Sequence, residues 1–244
     1  MMYLLHLLFL ALFVLYPTQA VPIIKDNSKL IRTFLEVSKG LDGFQVSNCS
    51  LAQAHLPLHD THQQLPPPAQ GLHLKYVVVG RGTQNYTCHS DHESAVPDAT
   101  GAAATLFDAS CIAPSVPEIL HALPSVVMDI PSTTIDFVAL LVNRVASASE
   151  SGLFAGEHYF DAAGVPFFDF RLGGHRSWMA ANKTASVPAP NKRDVAWLKL
   201  DTVEGQGIKE VYRVHTAGGQ PPATCKGQHK KFEVEYAAEY WFYG

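Results

Sequence analysis

The sequence has little charge and no extended basic segment. Asp, Glu, Lys and Arg make up 16% of the 244 residues, and the formal net charge is −4. The most basic stretch, residues 226–231, is short and hydrophilic, as expected of a solvated loop. Because proteins that bind nucleic acid concentrate positive charge on one face, this composition argues against nucleic acid as a partner.

Long apolar stretches are absent from the sequence after its N-terminus. Residues 3–16 carry no charged side chain, and Pro17 is followed by the small-residue segment Thr18-Gln19-Ala20. Although no Lys or Arg precedes it, this pattern predicts a secretory signal peptide over residues 1–20. An uncleaved membrane anchor is the alternative, but its apolar core would be shorter than the roughly 20 residues that a span requires.

The next most apolar segment, residues 130–142, is too short to cross a membrane and is interrupted by Pro131 and Asp136. We therefore expect a secreted, extracellular protein with no membrane association once the signal peptide is cleaved. Export would expose three N-x-S/T sequons to glycosylation, at Asn48, Asn85 and Asn182. Asn182 is the best candidate, because it lies in a polar segment rich in proline, whereas Asn85 lies in a strand-like segment.

Cysteine is scarce, and its spacing excludes the common zinc motifs. The four cysteines are Cys49, Cys88, Cys111 and Cys225, and no two stand at C-x2-C spacing. An even number in an exported chain predicts two disulfides, with free buried thiols as the alternative. Sequence alone does not choose among the three pairings. We favour Cys88–Cys111, since each follows a predicted strand, and Cys49–Cys225, which would tie the two ends of the chain together.

The chain after residue 71 has mostly β-type patterning. Val77, Val78 and Val79 make both faces of one segment apolar, which is typical of a strand covered on both sides. Residues 232–243 alternate and then become aromatic on both faces, so this strand should end in the core. Further strands are expected over residues 102–108, 153–160, 166–171, 195–200 and 207–216, with residues 153–171 forming a hairpin. We predict a single β-sandwich or flattened barrel-like domain over residues 72–244.

Elements other than strands are expected elsewhere. A short helix over residues 29–38 and a Pro-rich linker that ends at Gly71 would make residues 21–71 a segment that packs on the β domain. A short helix is expected over residues 117–123. Residues 98–101 are predicted to form a turn and residues 173–191 a long polar loop. Periodicity does not decide between helix and strand for residues 133–146.

Several segments together resemble one known family. They are GRGTQNYTC (residues 80–88), GAAATLFDASC (101–111), GEHYFDAAGVPFFDF (156–170), DVAWLKL (194–200), VYRVHTAGGQPPATC (211–225) and EYAAEYWFY (235–243). In this order they are similar to an exported, mainly fungal family catalogued as a domain of unknown function. The resemblance covers roughly residues 49–244 and implies secretion and one β-rich domain. It supplies no established activity and no catalytic residues.

Members of the family that the chain resembles are often labelled malate dehydrogenase, and the residues here argue against that activity. A dinucleotide-binding fold needs G-x-G-x-x-G between a strand and a helix. The segment from Gly80 has glycine again at Gly82, but Asn85 stands where the third glycine should be, and Tyr86-Thr87-Cys88 follows instead of a helix. We therefore reject a nicotinamide-dependent dehydrogenase.

Candidates for catalysis are few. No G-x-S-x-G motif of a serine hydrolase is present. His89, Asp91 and His92 could hold a metal, but this segment is more typical of a polar surface loop. His158 is the strongest candidate, because it lies in an aromatic strand where solvation does not explain a histidine. A histidine of the core edge, bonded to backbone, is the alternative.

A ligand-binding pocket around His158 would need companions from other strands. We name Arg81, Gln84, Tyr86 and Trp241 as its candidate ligand-binding residues. The aromatic residues of the last strand could also stack on sugar rings, although such a cluster is more often core. The relevant side chains are Tyr236, Tyr240, Trp241 and Tyr243.

The sequence thus favours a secreted, non-catalytic protein that binds a small molecule or a glycan, or that meets an extracellular protein partner. The alternative is a secreted hydrolase or isomerase with a pocket centred on His158. We expect no cofactor and no bound metal.

Overall fold

The computed structural model describes residues 49–131, residue 134 and residues 153–244. Eight strands make up most of this part of the chain, with two helices between the second and third strands and two short 3₁₀ turns. The strands are β1 Leu74–Thr87, β2 Asp98–Asp108, β3 Phe154–Phe160, β4 Pro166–Asp169, β5 Trp178–Val187, β6 Trp197–Gln206, β7 Glu210–Gly218 and β8 Lys231–Tyr243. The helices are α1 Ile112–Ser115 and α2 Pro117–Met128, and the 3₁₀ turns are Leu51–Gln53 and Arg171–Gly173.

The eight strands form a closed barrel with up-and-down topology. Every strand pairs antiparallel with the next one along the chain, and β1 pairs with β8 to close the sheet. Gly80, for example, stands opposite Leu106 of β2 and opposite Ala238 of β8. The prediction of a mainly β, barrel-like domain with two disulfides is therefore confirmed. Closure leaves no edge strand unpaired within the barrel.

The barrel wall separates two hydrophobic clusters. Along β8, Tyr240 and Phe242 point into the barrel, whereas Trp241 and Tyr243 point outward. The outer cluster is covered by α2 and by the segment that precedes β1, including the buried Leu65. This double covering explains why both faces of residues 77–79 and of the end of β8 are apolar, as the sequence predicts.

The Pro-rich segment before β1 lies against the outside of the barrel. The hydroxyl of Tyr212 donates to the carbonyl oxygen of Pro66 at 3.0 Å, and Nζ of Lys199 donates to that of Pro67 at 3.3 Å. The backbone N–H of Ala69 donates to the carboxylate of Glu210. These bonds hold the segment in place on β6 and β7.

Gly82 allows β1 and β2 to approach closely in the middle of the barrel wall. A Cβ atom at this position would overlap the carbonyl oxygen of Ala103 and lie 2.6 Å from Cα of Ala104. Both Gly80 and Gly82 are in the middle of β1 and are followed by more strand rather than by a helix, so this glycine pair forms no phosphate-binding turn.

The disulfides are Cys49–Cys111 and Cys88–Cys225. The predicted pairings, Cys88–Cys111 and Cys49–Cys225, are therefore wrong. Because β1 and β2 are antiparallel, the residues that follow them lie at opposite ends of the pair. Cys88 instead meets the segment that leads into β8, where Thr87 stands opposite Lys231. Cys111 follows β2 at the end where β1 begins, beside the N-terminal segment.

Two local predictions are also wrong. Residues 98–101 belong to β2 rather than to a turn, and residues 173–191 contain β5 rather than a continuous loop. The helix predicted over residues 117–123 is present and continues to Met128. The predicted signal peptide, the helix over residues 29–38 and the segment 133–146 lie outside the described residues, apart from residue 134. In the described part, no helix has the length and hydrophobicity to cross a membrane.

Candidate functional site

One end of the barrel encloses a cavity of about 390 Å³. All eight strands contribute to its lining. Exposed polar residues stand at the opening, among them Lys183, Ser186 and Gln220. A cavity of this size in the mouth of a β-barrel is a common site for a small molecule.

The walls of the cavity are largely apolar and aromatic. The rings come from β1, β3, β4 and β8, and aliphatic side chains come from β6 and from the segment just before it. The apolar lining residues are Tyr86, Phe160, Phe168, Val195, Leu198, Leu200 and Tyr240. Such walls bind a flat apolar group by burial and by ring stacking.

His158 is buried in this wall. Its ring stacks on that of Phe168, with centroids 4.1 Å apart, and Nδ1 lies 2.9 Å from the carbonyl oxygen of Phe167. Since a carbonyl oxygen can only accept, Nδ1 carries the proton and Nε2 of the neutral ring is left as an acceptor. Burial lowers the pKa of His158 to about 4, with the nearby charge of Arg213 acting in the same direction. The residue is therefore neutral at physiological pH.

Arg213 brings a positive charge into the cavity. Its side chain is buried, and Nε and Nη2 both donate to the carbonyl oxygen of Ala196, at 3.2 and 2.9 Å. Among the described residues, no carboxylate forms an ion pair with Arg213. Burial raises the pKa of the Tyr86 and Tyr240 hydroxyls, and the positive charge of Arg213 acts to lower the pKa of both. The cavity is thus electropositive.

Two neighbours on β1 complete the polar part of the cavity. The hydroxyl of Tyr86 donates to the carbonyl oxygen of Gly219 at 2.7 Å, which fixes the ring in the wall. The amide nitrogen of Gln84 is buried and makes no hydrogen bond of normal geometry to a described residue, although the Gln84 side chain is close enough to the Tyr236 hydroxyl to act on its pKa in the lowering direction. A buried donor without a partner is costly, so this amide is suited to bind an acceptor on a ligand.

Three of the five predicted pocket residues converge, namely Gln84, Tyr86 and His158. Arg81 does not, because strand alternation places it on the outer face of β1, where it donates to Val127 of α2 at 3.3 Å and pairs with Glu235 at 2.8 Å. Trp241 is also on the outer face, fully buried. Tyr236, Tyr240 and Tyr243 are buried too, so the four aromatic residues predicted to stack on sugars form no exposed platform.

The other residues singled out from the sequence lie on the surface. His89 pairs with Asp98 at 3.0 Å, while His92 bonds to Ser94 and Asp91 accepts from the backbone of residue 227. These three residues therefore make separate contacts, as in a polar loop. Of the sequons, Asn182 is exposed on β5 and Asn85 is half-buried on β1, while Asn48 lies outside the described residues.

Sequence reasoning missed Arg213, the residue that gives the cavity its charge. Val211 and Arg213 share one face of β7, and Val211 belongs to the interior cluster. An arginine in phase with interior residues was a usable signal, since a charged side chain on the buried face of a strand is rare unless it has a function.

Comparison with protein-family models gave one match, to the family described as Protein of unknown function (DUF3455), over residues 68–244. The chain belongs to the DUF3455 family. The match begins in the Pro-rich segment before β1 and includes the whole barrel, so the cavity lies entirely within the family domain. Searches of curated proteins and of solved structures returned no significant match.

Proposed function

We propose that this DUF3455 protein is an exported, non-catalytic protein that binds a small organic molecule in the mouth of its barrel. The ligand class that fits is a compact, flat apolar group with one acidic substituent. The observation that carries this proposal is the buried guanidinium of Arg213, which stands among aromatic rings without a carboxylate partner in the described chain.

The acidic group of the ligand would lie against Arg213. A buried charge is expensive unless it is paired, so an anion that enters the cavity gains a partner and relieves that cost. The buried amide of Gln84 supplies a second donor on the same lining. Hydrogen bonds that involve a charged group contribute about 1.5–3 kcal/mol, which corresponds to roughly a tenfold or greater gain in affinity.

The apolar part of the ligand would contact the rings of the cavity. Phe160, Phe168 and Tyr240 surround His158 and offer both stacking and edge contacts. Nε2 of His158 can accept a hydrogen bond but not donate one while the ring is neutral. A hydroxyl or N–H on the ligand would therefore be selected at this point.

Export is part of the same proposal. It is supported by the apolar N-terminus with its small-residue segment and by the two disulfides, which persist in oxidising compartments. Glycosylation would then be expected first at the exposed Asn182.

The alternative, an enzyme with His158 as a general base, is less well supported. A pKa near 4 makes the imidazole a weak base, whereas general bases function best with a pKa near the working pH. In the described part of the chain, the hydrogen bond of Nδ1 goes to a carbonyl rather than to an orienting carboxylate.

A pair of probes that differ only in charge tests the proposal. Naphthoate and naphthalenemethanol have nearly the same shape, and their affinities can be compared by fluorescence titration. Wild-type protein should bind naphthoate about tenfold or more tightly than the alcohol, and Arg213→Met should lose this preference. Arg81→Met, which removes a buried arginine from the outer face, is the matched control and should keep it. Equal affinity of wild type for both probes would overturn the proposal.

A further inference from the structure

A second cluster of polar side chains lies on the outside of the barrel, in the outer hydrophobic cluster. It consists of His121 from α2, His215 from β7 and Glu239 from β8, and one ligand atom of each lies within 4.8 Å of the others. β7 and β8 are neighbouring strands, and α2, which comes much earlier in the chain, joins them by packing on the barrel wall. None of these residues belongs to the cavity described above.

Glu239 is the buried member of the cluster. It has no exposed surface, and its Oε1 lies 2.9 Å from Nδ1 of His121. The indole N–H of Trp241 donates to the other carboxylate oxygen at 3.0 Å. Among the described residues, no lysine or arginine pairs with this carboxylate. A hydrogen bond from outside the ligand set, like that of Trp241, typically orients a carboxylate in metal sites.

His215 is held in an unusual backbone conformation. Its φ is 42°, the one positive value for a residue other than glycine in the described chain. It lies at an irregularity in the pairing of β7 with β8, where Val214 stands opposite Glu239 and Ala217 opposite Ala237. One extra residue on β7 produces a bulge, and bulges redirect side chains. Here the bulge brings the ring of His215 onto that of His121, with centroids 4.2 Å apart.

Docking of α2 does not require this arrangement. The bond between His121 and Glu239 already joins the helix to the wall, and it leaves the second histidine and its strained backbone unexplained. Nε2 of His215 lies 3.1 Å from Oδ2 of Asp60, so a second carboxylate borders the cluster. Two stacked imidazoles between two carboxylates form a group of possible metal ligands, and this group has a net negative charge when both rings are neutral.

We propose that His121, His215 and Glu239 bind a divalent transition-metal ion, and specifically zinc. Two imidazoles and a carboxylate are ligands of the type that zinc prefers, with Zn–N and Zn–O distances of about 2.0–2.2 Å. Binding replaces any proton shared between His121 and Glu239 and neutralises the buried carboxylate. The ion would join α2 to β7 and β8, and Asp60 stands beside His215 at the border of the site.

The ion has access to the site from solvent. The side chains of His121 and His215 are 24% and 17% exposed, so both a metal and a chelator can reach them. The proposal does not depend on ligand binding in the cavity, because the two sites lie on opposite sides of the barrel wall.

The test uses the full mature chain, stripped with a chelator and titrated with Zn²⁺ by calorimetry at neutral pH. We expect one ion per chain. His215→Gly should weaken zinc binding. The loss of affinity should exceed the roughly 10–100-fold that is typical when a residue that only hydrogen-bonds a metal ligand is removed. Because glycine adopts a positive φ freely, the backbone of this variant should keep its conformation at the bulge. Titration with Co²⁺ should give visible absorption bands in wild type that are absent from the variant.

The control is a double variant, His89→Ala with His92→Ala, which removes two exposed histidines on the surface loop. It should bind zinc as wild type does. Absence of zinc binding in wild type would overturn the proposal. Binding that survives in His215→Gly but disappears in the surface double variant would also overturn it, because the ion would then be bound at the loop.

Discussion

The imidazole of His158 donates from Nδ1 to the carbonyl oxygen of Phe167 on the adjacent strand, 2.9 Å away. Its ring is buried and contacts those of Phe160, Phe168 and Tyr240. This single bond fixes the tautomer and leaves Nε2 as a neutral acceptor in the cavity wall. Because burial favours the neutral ring, the stability of the folded protein depends on pH.

The first prediction concerns that pH dependence. The pKa of His158 falls from 6.5 to about 4 in the folded protein, mainly because burial disfavours the charged ring. Between these values the unfolded chain binds the proton and the folded chain does not, so stability is lost as the pH falls from about 6.5 to about 4. The full effect on the free energy of unfolding is up to about 3 kcal/mol.

Urea unfolding of wild type and of His158→Phe, measured from neutral pH to pH near 4, checks this prediction. Phenylalanine retains the ring contacts and removes the titrating group. The difference in stability between the two proteins should shift in favour of the variant as the pH falls. Parallel stability curves would contradict it, because they would show that the pKa of His158 is the same in the folded and the unfolded chain.

A second prediction concerns two glycines of the barrel. Gly82→Ala should destabilise the fold strongly, by about 1–3 kcal/mol or more, because the added Cβ would overlap the backbone of β2. Gly101→Ala should be tolerated, since its Cβ would lie 3.5 Å from the ring of Phe160, an ordinary contact. Urea midpoints of the two variants give the comparison, and equal losses would contradict the close approach of β1 to β2.

The third prediction concerns the disulfide at the cavity end of the barrel. Cys88–Cys225 joins the end of β1 to the segment before β8 and closes a separation of 137 residues. Loss of a native disulfide typically costs about 2–5 kcal/mol, and a loop this long should be near the upper end. The double variant Cys88→Ala, Cys225→Ala should therefore unfold at markedly lower urea.

Peptide mapping of the non-reduced protein checks the pairing itself. Peptides that contain Cys49 and Cys111 should be linked, as should those that contain Cys88 and Cys225. Detection of Cys88 linked to Cys111 instead would contradict the antiparallel arrangement of β1 and β2 around these residues.

Much of the fold could be predicted from local sequence. Strong alternation or two apolar faces mark residues 76–79, the hairpin from residue 153 and the last strand. All of these segments form strands in the structure. β5 was missed because Asn182, Lys183 and Thr184 are exposed and polar, which makes the strand resemble a loop. Such a strand is held by its neighbours in the barrel rather than by its own propensity.

The site was only partly predictable, because it depends on closure. Gln84, Tyr86 and His158 share the interior since β1 pairs with β2 and β2 with β3, which local patterns suggest. Arg81 and Trp241 were placed in the same pocket without knowledge of which strand face is interior. The disulfide pairing was wrongly predicted because it depends on barrel closure. The contact of β1 with β8, which joins the two ends of the domain, cannot be read from local sequence.

The most direct test of the central claim is to locate the bound probe by NMR. In protein with labelled methyl groups, intermolecular NOEs from naphthoate should appear on interior side chains of the cavity, those of Val195, Leu198 and Leu200. Methyl groups of the outer face, those of Val77 and Val214, serve as the control and should show none. NOEs confined to the outer face, or their absence at saturating naphthoate, would contradict a binding site inside the barrel.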